Sequence, residues 1–558
     1  MATSRSRILL WSALSGVLWT AAWPAIGGVV PLAFVAWLPL LHAERLHDQR
    51  TAGRRRAFVP YVLPALFIWN IACSWWFFMV SEPMATKLVS VAGPVVGNTL
   101  VMSIPWWLKR TVRRSIGPRA ATLGFVLFWL SFERLHHDWD LQWPWFCLGN
   151  VFGGLPSWVQ WYDATGMLGG SLWVLLVNLF AFRAVTACRD RCGGGTVLRG
   201  TLVTVAAIAV PLAVSQWRYH HHAEEGPPVE VVVVQPNVDP YLEKFGGVDA
   251  LEQLDRMLAQ AEGAMTDSTV LVVLPETALQ EPTRVERHDD SLAMRGLWEN
   301  DLARSRSVQR IREWQARRPG VAVLSGMSSA RLFRAGEELP FTARSLGDGR
   351  HWYEAYNAAL YMPPDGRVEH YRKSKLVAGV ELMPFESVLG PLGDLALDLG
   401  GTTGSLGQQE ERTVFTDPAS GVRAIPAICY ESVFGEHIAA HVRNGGNLIT
   451  VMTNDGWWGE SPGYKQHLTF SSLRAIETRR AVARSANTGI SCFVDQRGAM
   501  RERTSWWTPD ARRSVVHLNE RLTFFVRHGD LIGRTAMVLG LLLLLVSILR
   551  GVRRKTAR

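Results

Sequence analysis

The chain has 558 residues, 48% of them hydrophobic and 19% charged, so it is too long for one ordinary core and at least two structural units are expected. The net charge of +10 would suit nucleic-acid binding, but its placement argues against that. Basic residues cluster in short gaps between apolar runs, at Arg54-Arg55-Arg56, Lys109-Arg110 with Arg113-Arg114, Arg189 with Arg191, and Arg553-Arg554-Lys555, which is the positive-inside pattern of a multi-span membrane protein.

Apolar runs that suit a bilayer lie at residues 8–23, 29–41, 58–80, 88–108, 121–132, 167–182, 202–214 and 535–549. Spanning takes about 20 residues, so the first two read as short or tilted spans or as one re-entrant pair. Counting eight spans puts every basic cluster on one side. Residues from about 218 to 530 then lie outside the cytoplasm, and the tail from Arg550 returns inside. The expected organisation is a membrane domain of about seven spans at 1–217, an extracytoplasmic domain at 218–530, and a last span with a basic tail at 531–558. Trp75, Trp76, Trp106, Trp107, Trp143 and Trp145 flank apolar runs, where a headgroup-layer role is expected.

The middle region alternates strands and helices, the mark of a layered α/β domain. Strands are expected at 229–234, 269–274, 321–325, 422–428 and 447–453, and a hairpin at 357–371 around Pro363-Pro364-Asp365-Gly366. Helices are expected at 250–264, 307–317 and 467–483. Residues 281–313 and 331–350 are polar and read as surface excursions. His220-His221-His222 reads as a solvated linker and His136-His137-Asp138 as an interfacial loop, rather than as metal sites. The six cysteines form no framework and no paired CxxC motifs. Cys188 and Cys192 lack further zinc ligands nearby, so no metal or other cofactor is expected.

Three strand ends carry polar residues that an apolar strand does not need. Glu276 ends Val270 to Glu276, Lys373 follows the hairpin, and Cys429 ends Ala424 to Cys429 before an expected helix. Functional residues of layered α/β domains gather at strand ends. A Cys at such a turn can have its thiolate stabilised by a helix N-terminus and a nearby Lys. A carboxylate supplies a general base, and a Lys an oxyanion partner. Together they suffice for acyl transfer through a thioester. Singly, each has a plainer reading: an N-cap carboxylate, a small core thiol, a solvated Lys. Cys492 is expected to share the compartment of Cys429, and both are expected to be free thiols, since pairing would abolish the nucleophile.

Four ordered motifs carry a resemblance: Leu274-Pro275-Glu276-Thr277-Ala278; Tyr371-x-Lys373-x-x-Leu376-Val377; Ile428-Cys429-Tyr430-Glu431; and Asn454-Asp455-Gly456-Trp457-Trp458-Gly459. They continue through Gln466-His467, Arg474 to Glu477 and Arg484 to Gly489. The region resembles the nitrilase (carbon-nitrogen hydrolase) superfamily. With the membrane base, the chain is similar to the apolipoprotein N-acyltransferases within it.

The resemblance implies an αββα sandwich, a Glu276–Lys373–Cys429 triad, and the supporting residues Glu381, Glu431 and Tyr430. Glu381 would orient Lys373, and Glu431 would sit beside the nucleophile. It implies acyl transfer from a phospholipid through a Cys429 thioester to the α-amine of a diacylglyceryl-cysteine lipoprotein, in the inner membrane of a bacterium with the catalytic domain periplasmic. Partners would be the phospholipid donor, the diacylated apolipoprotein and the bilayer, and no nucleic acid. A membrane-tethered amidase-like hydrolase and a catalytically idle scaffold are the competing readings. Trp457, Trp458 and Phe245 are candidates for the lipid entrance, as is the loop from Trp139 to Trp145. The chain departs from the family at Leu376-Val377-Ala378-Gly379-Val380-Glu381, where Leu-Val-Pro-Phe-Gly-Glu is usual, and at Phe245, where a Trp is usual.

Overall fold

The computed structural model describes residues 4–51, 56–80, 84–241, 243, 248–288, 291–382, 385 and 405–556. The chain divides into two compact units, one of Met1–His222, Ser461–Thr469 and His528–Arg558, the other of Ala223–Glu460 and Phe470–Arg527.

Among the described residues of the first unit, five helices are long and apolar enough to cross a membrane: Val59–Met79, Ser90–Ser115, Met167–Arg189, Gly194–His221 and Leu531–Arg554. The runs at 8–23 and 121–132 form the helices Arg5–Ala22 and Pro118–Leu135. The run at 29–41 forms no helix of its own. It folds into a 3-10 turn, Val30–Phe34, and then the start of the helix Leu38–Thr51. The left-handed Ala25 and Gly28 and the Pro31 ring redirect the chain there. Peptide groups freed from a helix need partners where water is scarce. Asn178 supplies them, accepting from the Trp37 N–H at 2.8 Å and donating to the Ala33 carbonyl at 2.8 Å. His220 and His221 extend the last turn of the helix Gly194–His221 rather than forming a linker.

The tryptophans correct the headgroup-layer expectation in part. Trp75 and Trp107 are exposed, but Trp76, Trp106 and Trp145 are fully buried. Trp19, Trp37, Trp69, Trp106 and Trp129 form a ring cluster inside the unit, with Trp19 stacked on Trp69 at 4.8 Å and Trp37 edge-on to Trp129 at 4.9 Å.

The described residues of the second unit form fifteen strands: β1 (Pro228–Gln235), β2 (Thr269–Val273), β3 (Arg284–His288), β4 (Ser291–Arg295), β5 (Ala322–Leu332), β6 (Arg344–Ser345), β7 (Trp352–Met362), β8 (Glu369–Arg372), β9 (Phe415–Thr416), β10 (Arg423–Ile428), β11 (Leu448–Thr453), β12 (Ala481–Ala486), β13 (Cys492–Val494), β14 (Met500–Arg501) and β15 (Asp510–His517). One sheet has the order β15-β1-β2-β5-β7-β6 with β8 beside β7; the other runs β14-β13-β12-β11-β10-β9; β3 and β4 pair separately. In both large sheets the central pairs are parallel.

Side-chain alternation explains the layering. Val231, Val233, Leu271, Val273 and Leu324 join Ile428, Leu448 and Met452 in a core between the sheets. The intervening Val232, Val234, Val272 and Val323 meet Leu254, Met257, Ile311 and Trp314 of the helices Ala250–Ala264 and Arg306–Arg317. Period-two burial on both faces is what a two-sided central strand requires. The helix Gly435–Arg443 lies against β10 on the second sheet, giving the αββα order.

Two expectations are corrected here. The helix expected at 467–483 is Pro462–Thr478, and Ala481 to Ala483 belong to β12, hydrogen-bonded parallel to β11. The buried edge of a parallel sheet reads in sequence like an Ala-rich helix, and pairing decides between them. The polar excursions at 281–313 and 331–350 contain, besides the expected helix Arg306–Arg317, the β3–β4 pair, the end of β5 and β6.

Candidate active site

Cys429 follows β10 at the head of the 3-10 turn Cys429–Val433. Its φ of +49° is left-handed, a conformation that costs a non-glycine residue on the order of 1 kcal/mol. The backbone therefore turns sharply away at the sulfur-bearing residue, and the thiol is 9% exposed.

Glu276 follows β2 through Leu274 and Pro275, and the next residue, Thr277, is again left-handed at +47°. This turn lies against Gly326 of β5. A Cβ there would stand 2.6 Å from the Glu276 Cα and 2.5 Å from the Thr277 N, so only glycine fits.

Lys373 follows β8, and its N–H donates to the Asn357 carbonyl on β7 at 2.9 Å. Its ammonium lies 2.9 Å from Glu381 Oε1 and 3.3 Å from Glu276 Oε1. Lys373 is 1% and Glu276 5% exposed, so these two charges are withdrawn from water, and the Glu381 side chain is 14% exposed. Such burial is tolerable because every partner is paired. Glu381 is steadied by the Val377 N–H at 2.9 Å, and Glu276 Oε2 by the Asn454 N–H at 3.0 Å.

Sequence reasoning missed Asn357. One amide nitrogen donates to both Glu276 Oε1 at 2.8 Å and Glu381 Oε1 at 2.9 Å. Its only signal was a polar residue within the apolar run Tyr356 to Met362.

Glu431 is fully buried and acts as a clasp. It accepts from the Ser374 N–H at 2.7 Å and the Ile428 N–H at 2.8 Å, tying the residue after Lys373 to the residue before Cys429. Tyr371 Oη adds a bond of 2.6 Å, and His437 lies 3.4 Å away. Burial opposes the Glu431 charge, but His437, Tyr371 and the backbone donors outweigh it and hold the acid down at about 2. Tyr430 is buried and packs edge-on against Phe434.

The electrostatics correct the expectation of a stabilised thiolate. Burial and then the Glu276 charge push the Cys429 thiol well above its ordinary range, more than Lys373 pulls it down. Burial alone would lower Lys373, yet Glu381 and Glu276 together raise it. The resting site therefore holds a neutral thiol, a charged Lys373 and a carboxylate beside them. Sulfur can act as a nucleophile there only as a base removes its proton.

Of the entrance candidates, Trp457 and Trp458 are half-buried on the 3-10 turn Asp455–Trp458 that follows β11. Tyr241 donates to the Trp457 carbonyl at 2.9 Å, and the two rings meet edge-on. Phe245 lies outside the described residues. In the loop from Trp139 to Trp145, Trp145 is spent inside the first unit, donating to Gln466 at 2.6 Å and stacking on Trp143. Cys429 and Cys492 are both buried, and neither is in a disulfide.

A family model described as carbon-nitrogen hydrolase matches residues 231–518. A second, described as the apolipoprotein N-acyltransferase N-terminal domain, matches residues 15–180. The chain is 29% identical to an apolipoprotein N-acyltransferase of Chlorobaculum tepidum, covering 95% of this chain and 93% of that protein. It is 27% identical to one of Geobacter metallireducens, covering 94% and 92%. Among solved structures, Saccharomyces cerevisiae Nit3, of the nitrilase superfamily, aligns with 16% identity and a TM-score of 0.35 over 55% of this chain and 96% of that one.

Proposed function

The chain belongs to the carbon-nitrogen hydrolase family, and from that premise we propose that it is a membrane-bound acyltransferase of the apolipoprotein N-acyltransferase kind. The observation that carries the reading is the buried Lys373, shared by Glu276 and Glu381 and electrostatically coupled to Cys429, in a chain that also carries the matched amino-terminal domain.

Cys429 Sγ attacks the ester carbonyl carbon of a phospholipid while Glu276 takes the thiol proton. The C–O bond breaks, Glu276 returns the proton to the departing lysophospholipid hydroxyl, and the acyl group stays on sulfur as a thioester. The α-amine of a diacylglyceryl-cysteine lipoprotein then attacks the same carbon. Glu276 accepts the amine proton, the C–S bond breaks, and the proton returns to sulfur. Lys373, fixed by Glu381, steadies the oxyanion of each tetrahedral intermediate, and a backbone N–H near Cys429 is the second donor. Glu431 and Tyr430 hold the turn that carries the nucleophile.

The membrane unit fits this chemistry. Both substrates are lipid-anchored, and withdrawing an acyl chain into water costs about 0.8 kcal/mol per methylene. A site held at the bilayer surface avoids that cost. We place the enzyme in the inner membrane of a bacterium with the catalytic unit on the periplasmic side, because that orientation leaves the basic clusters in the cytoplasm.

An amidase-like hydrolase would use the same triad with water in the second step. The amino-terminal match favours the amine. The test is mass spectrometry of a diacyl lipopeptide incubated with the purified protein and phospholipid. The proposal expects one added acyl chain on the α-amine. Release of free fatty acid with an unchanged lipopeptide would support the hydrolase instead.

A further inference from the structure

Apart from the candidate active site, the membrane unit has a groove of about 540 Å³ between the helices Pro118–Leu135 and Met167–Arg189 and the first turns of Leu531–Thr556. Its walls are apolar, chiefly Leu123, Leu127, Leu130, Leu172, Leu176 and Leu531. Two of these, Leu123 at 57% and Leu531 at 44%, are exposed, as residues facing lipid tails would be.

The charged residues of the groove, Arg119 and Arg183, lie at one end with Thr122, and Thr535 is the polar residue on the last helix. Neither guanidinium has a carboxylate partner among the described residues. Other basic residues of the same helical region are neutralised internally: Arg110 and Arg113 pair with Asp48, and Lys109 with Glu44. The far end of Pro118–Leu135 is closed by Arg134 beside Asp530 at the start of the last helix.

From Arg119 to Leu130 the helix rises ~16 Å at about 1.5 Å per residue. One leaflet of the hydrocarbon core is about 15 Å deep, half of a ~30 Å core. The groove therefore has the length of one leaflet, with two unpaired cations at the headgroup level of the arginine-rich side.

We infer that this groove is a binding site for one anionic glycerophospholipid of the cytoplasmic leaflet, its acyl chain along the leucine walls and its phosphate between Arg119 and Arg183. Charge complementarity selects this occupant. A neutral apolar helix would leave both guanidiniums unmatched, and a zwitterionic lipid would bring its own cation to them. The lipid is a bound component, not the acyl donor. The inference rests on the membrane-embedded reading of this unit and not on the acyl-transfer chemistry.

The test is native mass spectrometry of the full chain in mild detergent, titrated separately with phosphatidylglycerol and phosphatidylcholine, with inorganic phosphate as a competitor. Wild type should keep one phosphatidylglycerol that phosphatidylcholine does not match and that phosphate does not displace. Arg119→Ala combined with Arg183→Ala should weaken it by about 30-fold, from two lipid-facing cations. Arg199→Ala, which removes a basic residue outside the groove, should leave it unchanged. Leu176→Trp, which fills the groove, should displace the lipid. Equal retention of the two lipids by wild type, or equal losses in the double variant and Arg199→Ala, would overturn the site. So would displacement by phosphate, or a second copy of the chain excluding the lipid. If Leu176→Trp fails to fold, the arginine variants alone still decide.

Discussion

The side-chain amide of Asn357 stands 2.8 Å from the Glu276 carboxylate, and the same nitrogen reaches Glu381. A neutral donor thus holds two carboxylates together around one lysine. Replacing Asn357 by Leu should leave both carboxylates short of a donor, a loss of about 1–3 kcal/mol. Acyl transfer should fall by about 10- to 100-fold through kcat, with KM little changed. Initial rates across lipopeptide concentrations check this, and an unchanged kcat would remove Asn357 from the site.

The Cys429 thiol is held up by burial and by Glu276, so its titration should lie above that of an ordinary cysteine. Removing the negative charge in Glu276→Gln should lower the titration while abolishing acyl transfer. The thiolate absorbance of each protein, taken as a difference from its Cys429→Ala counterpart, reads the midpoint. A midpoint that rises in Glu276→Gln would contradict the sign of the coupling.

Gly326 is where the Glu276 turn meets β5. Gly326→Ala forces a methyl against the Glu276 backbone, and overpacking of this kind costs about 1–3 kcal/mol. Activity should fall further than stability, because the base is displaced. Thermal unfolding and acyl transfer measured on the same preparation separate the two. A variant with full activity would show that the turn tolerates the shift.

Glu431 ionises at about 2 in the folded chain against an ordinary 4.5. A carboxylate with a depressed folded pKa contributes stability that is complete above the unfolded value and is lost as pH falls towards the folded one. The contribution is on the order of 3 kcal/mol, lost between about pH 4.5 and 2. Glu431→Gln should be less stable at neutral pH and less sensitive across that acid window. Unfolding midpoints against pH measure both, and parallel curves for the two proteins would refute the assignment.

Much of this site is legible in the chain because each functional residue breaks a rule of its surroundings. Glu276 and Cys429 end runs that are otherwise wholly apolar, and Lys373 stands directly after a hairpin strand. Asn357 is hidden because one polar residue in a strand has many uses, and its role depends on which strands are neighbours. β12 is hidden for a related reason: Ala481 to Ala483 carry no period of their own, and pairing with β11 and β13 defines them. The run at 29–41 is apolar enough for a span, but the Asn178 side chain that supports its broken backbone lies more than a hundred residues away. Long-range partners decide these cases, and local pattern does not contain them.

The central claim is that the Cys429 sulfur carries the acyl group. The most direct measurement is peptide mapping by mass spectrometry after the purified protein meets phospholipid without an acceptor. The account predicts an acyl mass on the peptide containing Cys429, removed by hydroxylamine, absent in Cys429→Ala, and discharged onto the α-amine when diacyl lipopeptide is added. An acyl group found on another residue, or on Cys429→Ala, would contradict it.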